Sequence, residues 1–242
     1  MLAIHRVALS SAVLCLSAAW VSAQTYQEAD GIVAIEAESA SSIPAQWQVE
    51  SSVAGYSGSG YLRALQSSGP GVGVISYDFK INTTSDFQFA FRNRIGQGSS
   101  TTDHNDTWVR LTDDEGNGLA PIPNDNVVTG SNQWYKVYMN VLGSWTHNAS
   151  NKDFDPNSLS WSLTAGNEYS LEIANRSSGH LVDRLFLWDR EEYNLANQGG
   201  GWGANNGAFD ALPNSVVPEP SSAVLVALGA MALGWWRRVA RG

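Results

Sequence analysis

From Gln24 to Val217 the apolar residues alternate with polar ones in short runs, and nowhere do they recur at helical spacing for long. The runs are Ile32 to Glu38, Gln46 to Val49, Gly60 to Leu65, Val74 to Ile81, Phe87 to Ile95, Thr107 to Thr112, Gln133 to Val141, Leu159 to Thr164, Glu168 to Ala174 and Leu181 to Trp188. Gly, Asn, Asp and Ser separate them. About ten short strands joined by turns predict an all-β chain, a β-sandwich or barrel. Phe87, Phe89 and Phe91 fall on one face of their run and Gln88, Ala90 and Arg92 on the other, which predicts one buried and one wetter face.

The first long run, Asp30-Gly31-Ile32-Val33-Ala34-Ile35-Glu36-Ala37-Glu38, carries the chemistry. Successive side chains of a strand point to opposite faces, so Val33, Ile35 and Ala37 line one side while Ile32, Ala34, Glu36 and Glu38 line the other. The two carboxylates then stand about 7 Å apart, a repulsive pair relieved by a shared proton or a cation. In the last run Asp183 is a single acid among apolar residues. If these two strands are neighbours, Glu36, Glu38 and Asp183 form an all-oxygen site suited to Ca2+. Two other readings stand beside it. The pair is a solvated strand edge, or it is a catalytic acid pair, since a spacing of roughly 6.5 to 9.5 Å suits an inverting glycosidase.

Both ends of the chain read as address labels. Residues 1–23 combine His5-Arg6, an apolar run from Val7 to Val21 and the small-residue ending Val21-Ser22-Ala23, which predicts a secretory signal cleaved before Gln24. The chain's single cysteine, Cys15, lies inside that segment, so the exported chain has no disulfide and must depend on core burial and metal. Residues 24–194 are then the folded domain, 195–217 a Gly/Asn-rich linker and 218–242 a tail. Excluding Arg6, Arg237, Arg238, Arg241 and Glu219 leaves 10 of the 14 basic and 22 of the 23 acidic residues, a net charge of −12 for 24–217. Nucleic acid is thereby excluded as a partner, because its recognition needs a basic footprint.

Several motifs fail when tested. Asp113-Asp114-Glu115-Gly116-Asn117-Gly118 resembles a calcium loop, yet the twelfth position is Asn124 rather than glutamate, and a hairpin turn is the better reading. Asp153-x-Asp155-x-Asn157 fails the same test at Thr164, leaving a turn as the main reading and a second ion as the lesser one. His104, His147 and His180 sit beside no nucleophile-turn motif, and no zinc spacing occurs.

The tail has Pro218-Glu219-Pro220, a hydrophobic run from Ala223 to Trp236, and a terminal cluster containing Arg237, Arg238 and Arg241. It resembles the bacterial PEP-CTERM sorting signal. That resemblance implies recognition by an exosortase, a membrane transpeptidase that removes the tail and passes the protein to the cell surface or extracellular matrix. The run as a helix would reach only about 21 Å against a ~30 Å hydrocarbon core, so membrane insertion is expected to be transient. The four Asn-x-Ser/Thr sites (Asn82, Asn105, Asn148, Asn175) are then chance matches.

The body, Thr25 to Asp189, resembles carbohydrate-binding modules of families 6 and 35 and the C-terminal domain of family 115 glycoside hydrolases. The residues that carry this are Asp30-Gly31 with Ile35-Glu36-Ala37-Glu38, then Gly55-Tyr56-Ser57-Gly58-Ser59-Gly60-Tyr61-Leu62, then Arg176-Ser177 with Leu181-Val182-Asp183-Arg184. The resemblance implies an antiparallel jelly-roll sandwich of the galactose-binding-like kind, a structural calcium on Glu36, Glu38 and Asp183, and a sugar cleft at one end of the sandwich. Asp103-His104-Asn105-Asp106 before Trp108 resembles a loop of the family 115-like subgroup, and makes His104, Asn105 and Asp106 cleft candidates. Trp108, Trp145 in a polar run and Tyr61 after a glycine-rich turn are the candidates for stacking on sugar, whereas Trp161 and Trp188 are expected in the core. The expected function is non-catalytic binding of a polysaccharide or exopolysaccharide. A matrix protein using the fold as a scaffold is the alternative, and a glycan-active enzyme the third reading.

Overall fold

A computed structural model describes residues 25–122, 132–153, 158–189 and 207–215. The expected signal segment, the sorting tail, Asp155 and Asn157 lie outside the described residues. All ten runs are strands: β2 (Ile32–Glu36), β3 (Trp47–Glu50), β4 (Tyr61–Ala64), β5 (Ile75–Lys80), β6 (Ser85–Ile95), β7 (Asp106–Asp113), β8 (Tyr135–Tyr138), β9 (Ser160–Leu163), β10 (Glu168–Ala174) and β11 (His180–Asp189). They are preceded by a short strand that alternation did not reveal, β1 (Thr25–Gln27). One sheet has the order β1-β5-β10-β7-β8, the other β3-β4-β11-β6-β9 with β2 also on β11. Pairing is antiparallel except between β1 and β5.

The core lies between the sheets. Val33 and Ile35 of β2, the three phenylalanines of β6, and Leu185 and Leu187 of β11 meet Tyr77, Phe79, Val109, Leu111, Leu171 and Ile173 of the facing sheet. Trp161 is buried there with its Nε1 donating to the Leu119 carbonyl at 3.1 Å. Asp30 and Gly31 both have positive φ, and their turn is tied down by the buried Glu28, which accepts from the amides of Gly31 at 2.9 Å, Asn82 at 2.8 Å and Thr83 at 3.0 Å. At Asp113 the side chain accepts from the amides of Glu115 and Asn117, the local turn bonding that replaces a calcium loop.

The outer face of β2 and β11 is not wet. Ile32, Ala34, Ala90, Phe186 and Trp188 form a second apolar layer closed by Phe209. Phe209 belongs to α1 (Gly207–Asp210), a single turn whose continuation to Ser215 lies along β2. The linker reading of 195–217 therefore needs correction: 207–215 is part of the folded body. Its Gly/Asn-rich surroundings hid an apolar anchor and backbone groups that complete the exposed side of β2.

His180 is fully buried, with Nδ1 at 2.8 Å from Thr107 Oγ1 and Nε2 at 3.1 Å from Asn93 Oδ1. Burial holds its pKa down to about 4, below an ordinary 6.5. The folded state thus binds fewer protons than the unfolded state below pH 6.5, so this contribution to stability is present above that pH and lost as pH falls through about 4. Melting the chelator-treated domain from pH 7 down to pH 4 is expected to show a shallower acid loss in His180→Gln than in the parent. Equal slopes would show that His180 is not the acid-sensitive group.

Candidate functional site

The acids gather where β11 changes neighbours. Leu181 and Val182 pair with β4, Arg184 to Trp188 pair with β2, and the register against β6 shifts between Val182 and Arg184. Such a bulge re-aims the extra side chain, and Asp183, fully buried, is that residue. The turn from Ser57 to Gly60 clasps all three acids. Ser57 N donates to both Asp183 oxygens, at 3.0 and 3.2 Å, and its hydroxyl donates to Glu36 Oε1 at 2.9 Å. Ser59 N donates to Glu38 Oε1 at 2.8 Å.

Two arginines complete the group, Arg184 fully buried and Arg92 partly so. Arg184 Nε is 3.0 Å from Glu36 Oε1, and Arg92 pairs with Asp183 and, through Nε, with Asp210 at 2.7 Å. Burial, opposed by Arg184, raises the Glu36 pKa. Burial also pushes Asp183 up to about 6, against the lowering effect of Arg92.

Two observations bear on a cation. Glu36 Oε2 and Glu38 Oε2 are buried and accept no hydrogen bond among the described residues. The two carboxylates also approach one another at Gly58: a Cβ there would run into Glu38 Oε1, the oxygen that accepts from Ser59 N, and lie 3.1 Å from Glu36 Oε2. Unpaired buried carboxylate oxygens are costly, and a hard divalent ion is their natural partner. Glu36 and Glu38 therefore fit the group. Asp183 fits less simply, because Ser57 N and Arg92 already engage its oxygens, and no three acidic or histidine side chains among the described residues converge as a complete metal set.

The second feature is an open cleft of about 460 Å3 at one end of the sandwich, lined by Ser67, Ser68, Gly69, Trp108, Arg176 and Ser177. Trp108 is held by its Nε1 donating to the Ser68 carbonyl at 3.0 Å, and the Arg176 guanidinium stacks 4.8 Å above its ring. Asp106, at the start of β7, accepts from Arg176 and the Ser177 hydroxyl. Ser68 N donates to the Arg176 carbonyl at 3.0 Å and Ser178 N to Ser67 Oγ at 3.1 Å, which closes the two lips onto one another.

Of the expected cleft residues, Trp108 lines the cleft and Asp106 lies behind Arg176 and Ser177, but Trp108 is only 5% exposed and packs with Trp134 and Ala174, so it offers the cleft no open stacking face. His104, with positive φ, meets the Ser178 carbonyl beside the rim. Asn105 points inward, its Nδ2 donating to the Met139 carbonyl at 2.7 Å. Tyr61 and Trp145 are corrections. Both are buried in a separate cluster with Leu181 under Val53 and Tyr56, edge to face at 5.2 Å. Tyr61 carries its hydroxyl 3.1 Å from Ser52 Oγ, and Trp145 Nε1 donates to the Ala54 carbonyl at 3.0 Å. Their polar neighbours in sequence misled, because a polar loop folds over the rings and satisfies their single polar atoms. Arg176, Ser67 and Ser68 were missed as cleft residues. The pairing of Arg176-Ser177 with Ser67-Ser68 was visible only as two separated polar turns.

Residues 216–238 match the PEP-CTERM protein-sorting motif. No curated protein matches the chain. Among solved structures the chain is similar to a Podospora anserina GH26-CBM35 β-(1,4)-mannanase, at 21% identity and a TM-score of 0.46 over 66% of this chain and 28% of that one. It is also similar to a family 35 carbohydrate-binding module from Clostridium thermocellum, at 17% identity and a TM-score of 0.42 over 65% of this chain and 98% of that one. A CBM35 from Paenibacillus barcinonensis gives 15% identity and a TM-score of 0.40 over 64% and 97%. The chain thus spans little more than a quarter of the length of the mannanase.

Proposed function

We propose that the chain is an exported, non-catalytic module that binds polysaccharide through the cleft at Trp108 and Arg176 and is passed to the cell surface or matrix by exosortase processing of its tail. The cleft carries the reading. It offers a ring edge, a fixed guanidinium and the hydroxyls of Ser67, Ser68 and Ser177 in one open groove, and sugars present the matching C–H faces and hydroxyls. The acid nearest to it, Asp106, is spent on Arg176 and Ser177, while Glu36 and Glu38 are clasped by the Ser57 to Gly60 turn. Carboxylates engaged in this way support binding over cleavage, which needs an acid pair free to flank a glycosidic bond. Glu36 and Glu38 would hold a structural calcium, whose charge would tie β2 to that turn.

A glycan array of the mature domain tests the binding reading. Arg176→Ala is expected to weaken the glycan it identifies by about tenfold or more, the loss of a charge-assisted hydrogen bond, with Trp108→Ala equal or worse. Retained affinity in both variants would move the site elsewhere. Absence of any glycan ligand would favour the scaffold reading.

A further inference from the structure

The tail leaves the domain from a fixed place. Ser215 N donates to the Ala34 carbonyl at 2.8 Å, Ala34 N donates to Ser215 Oγ at 2.9 Å, and Gln27 N donates to the Ser215 carbonyl at 2.6 Å. Asn214 Oδ1 accepts from Glu36 N at 3.2 Å, so the chain runs antiparallel to β2, from Glu36 towards its Ile32 end. Arg184 holds the same strap by donating to the carbonyls of Phe209 and Leu212, each at 2.9 Å. The sorting motif begins at 216, the very next residue.

The position of this exit relative to the cleft follows from strand register. β10 starts at Glu168, opposite Lys80, and ends at Ala174, opposite Trp108. The cleft residues Trp108, Arg176 and Ser177 are at the second end. Gln27, which binds Ser215, is paired with Lys80 at the first. The length of β10, about 20 Å at ~3.4 Å per residue, separates them.

We propose that, while the tail is in the membrane, the domain is held with the Lys80 and Asn82 end towards the bilayer and the cleft facing away from it. The inference rests on the sorting and cleft readings above. Between Ser215 and the apolar run at Ala223 only residues 216–222 remain, which span at most about 25 Å when fully extended. Turning the cleft to the bilayer would use nearly all of that reach in running back along the sandwich. The bilayer-facing end exposes Asp30, Asn82, Thr83, Thr84 and Asp86, without the lysine and arginine cluster that grips anionic headgroups, so the leash and not adhesion sets the orientation.

Absence of cysteine after Cys15 allows a clean test. The chain from Gln24 to Gly242, carrying a single Thr83→Cys or Gln66→Cys, is labelled with a fluorophore and reconstituted in phosphatidylcholine vesicles bearing a headgroup quencher. Quenching at position 83 is expected to exceed that at 66 several-fold, and a flexible Gly/Ser spacer after Ser215 is expected to erase the difference. Equal quenching in the unspaced chain, more at 66, or a difference that survives the spacer would overturn the proposal. So would absence of quenching at both positions in vesicle-bound protein. Glycan binding by the tail-free domain is measured separately, so an error in the cleft reading shows there and not here.

Discussion

Calcium added to the chelator-treated domain is expected to raise its melting midpoint by about 5 to 10 °C. An ion that binds only the native state contributes roughly 2.7 kcal/mol at a hundredfold excess over its dissociation constant, and a domain of this size gains about 2 to 4 °C per kcal/mol. The expectation comes from Glu36 and Glu38, whose carboxylates approach one another beside Gly58 and each keep a buried Oε2 that accepts no hydrogen bond among the described residues. Glu38→Gln is expected to remove the response, since it takes away one charge and leaves an amide that can still accept from Ser59 N. Magnesium, which demands tighter octahedral geometry and sheds water reluctantly, is expected to do less. A midpoint indifferent to calcium, or a Glu38→Gln variant that responds as the parent does, would remove the ion from this site and leave the two oxygens unexplained.

How far the sequence went can be judged from β2. The period-2 pattern correctly put Val33, Ile35 and Ala37 in the core and Glu36 on the other face, and the supposed pairing of this strand with the last one is that of β2 with β11. It also put Glu38 on the Glu36 face, but the strand ends at Glu36 and Ala37–Ser39 is a 3-10 turn, so the two acids meet through the Ser57 to Gly60 loop as much as through pleat geometry. Period tells which face a residue takes; it does not tell what covers that face. Ile32 and Ala34 needed a lid, and Phe209 supplies it from more than 170 residues away, where composition alone reads as linker. The same limit explains Tyr61 and Trp145. Their polar and glycine-rich neighbours marked them as special, but burial depends on a long-range loop that no local pattern encodes. Arg184 stood out in the sequence only as the last residue of Leu181-Val182-Asp183-Arg184, because its partners lie at positions 36, 209 and 212.

Those partners make the strap the most sensitive part of the domain outside the main core. Phe209 stacks on Phe186 with ring centroids 4.5 Å apart and is buried; truncating such a side chain costs about 3 to 5 kcal/mol through lost transfer energy and the cavity left behind. Arg184→Ala is expected to cost a similar amount by another route. It leaves Glu36 without its closest cation and the carbonyls of Phe209 and Leu212 without their donor, and breaking a buried ion pair from one side typically costs about 3 to 5 kcal/mol. Because Phe209 and Arg184 serve one contact, the double variant should lose less than the sum of the two. Asp210→Asn should be milder, within about 1 kcal/mol, since the Asp210 side chain is 39% exposed. Chemical denaturation of the parent and the four variants in excess calcium separates these effects from loss of the ion. If Phe209→Ala and Arg184→Ala both unfold with the parent's midpoint, the strap is not part of the cooperative fold, and the fixed exit point of the tail falls with it.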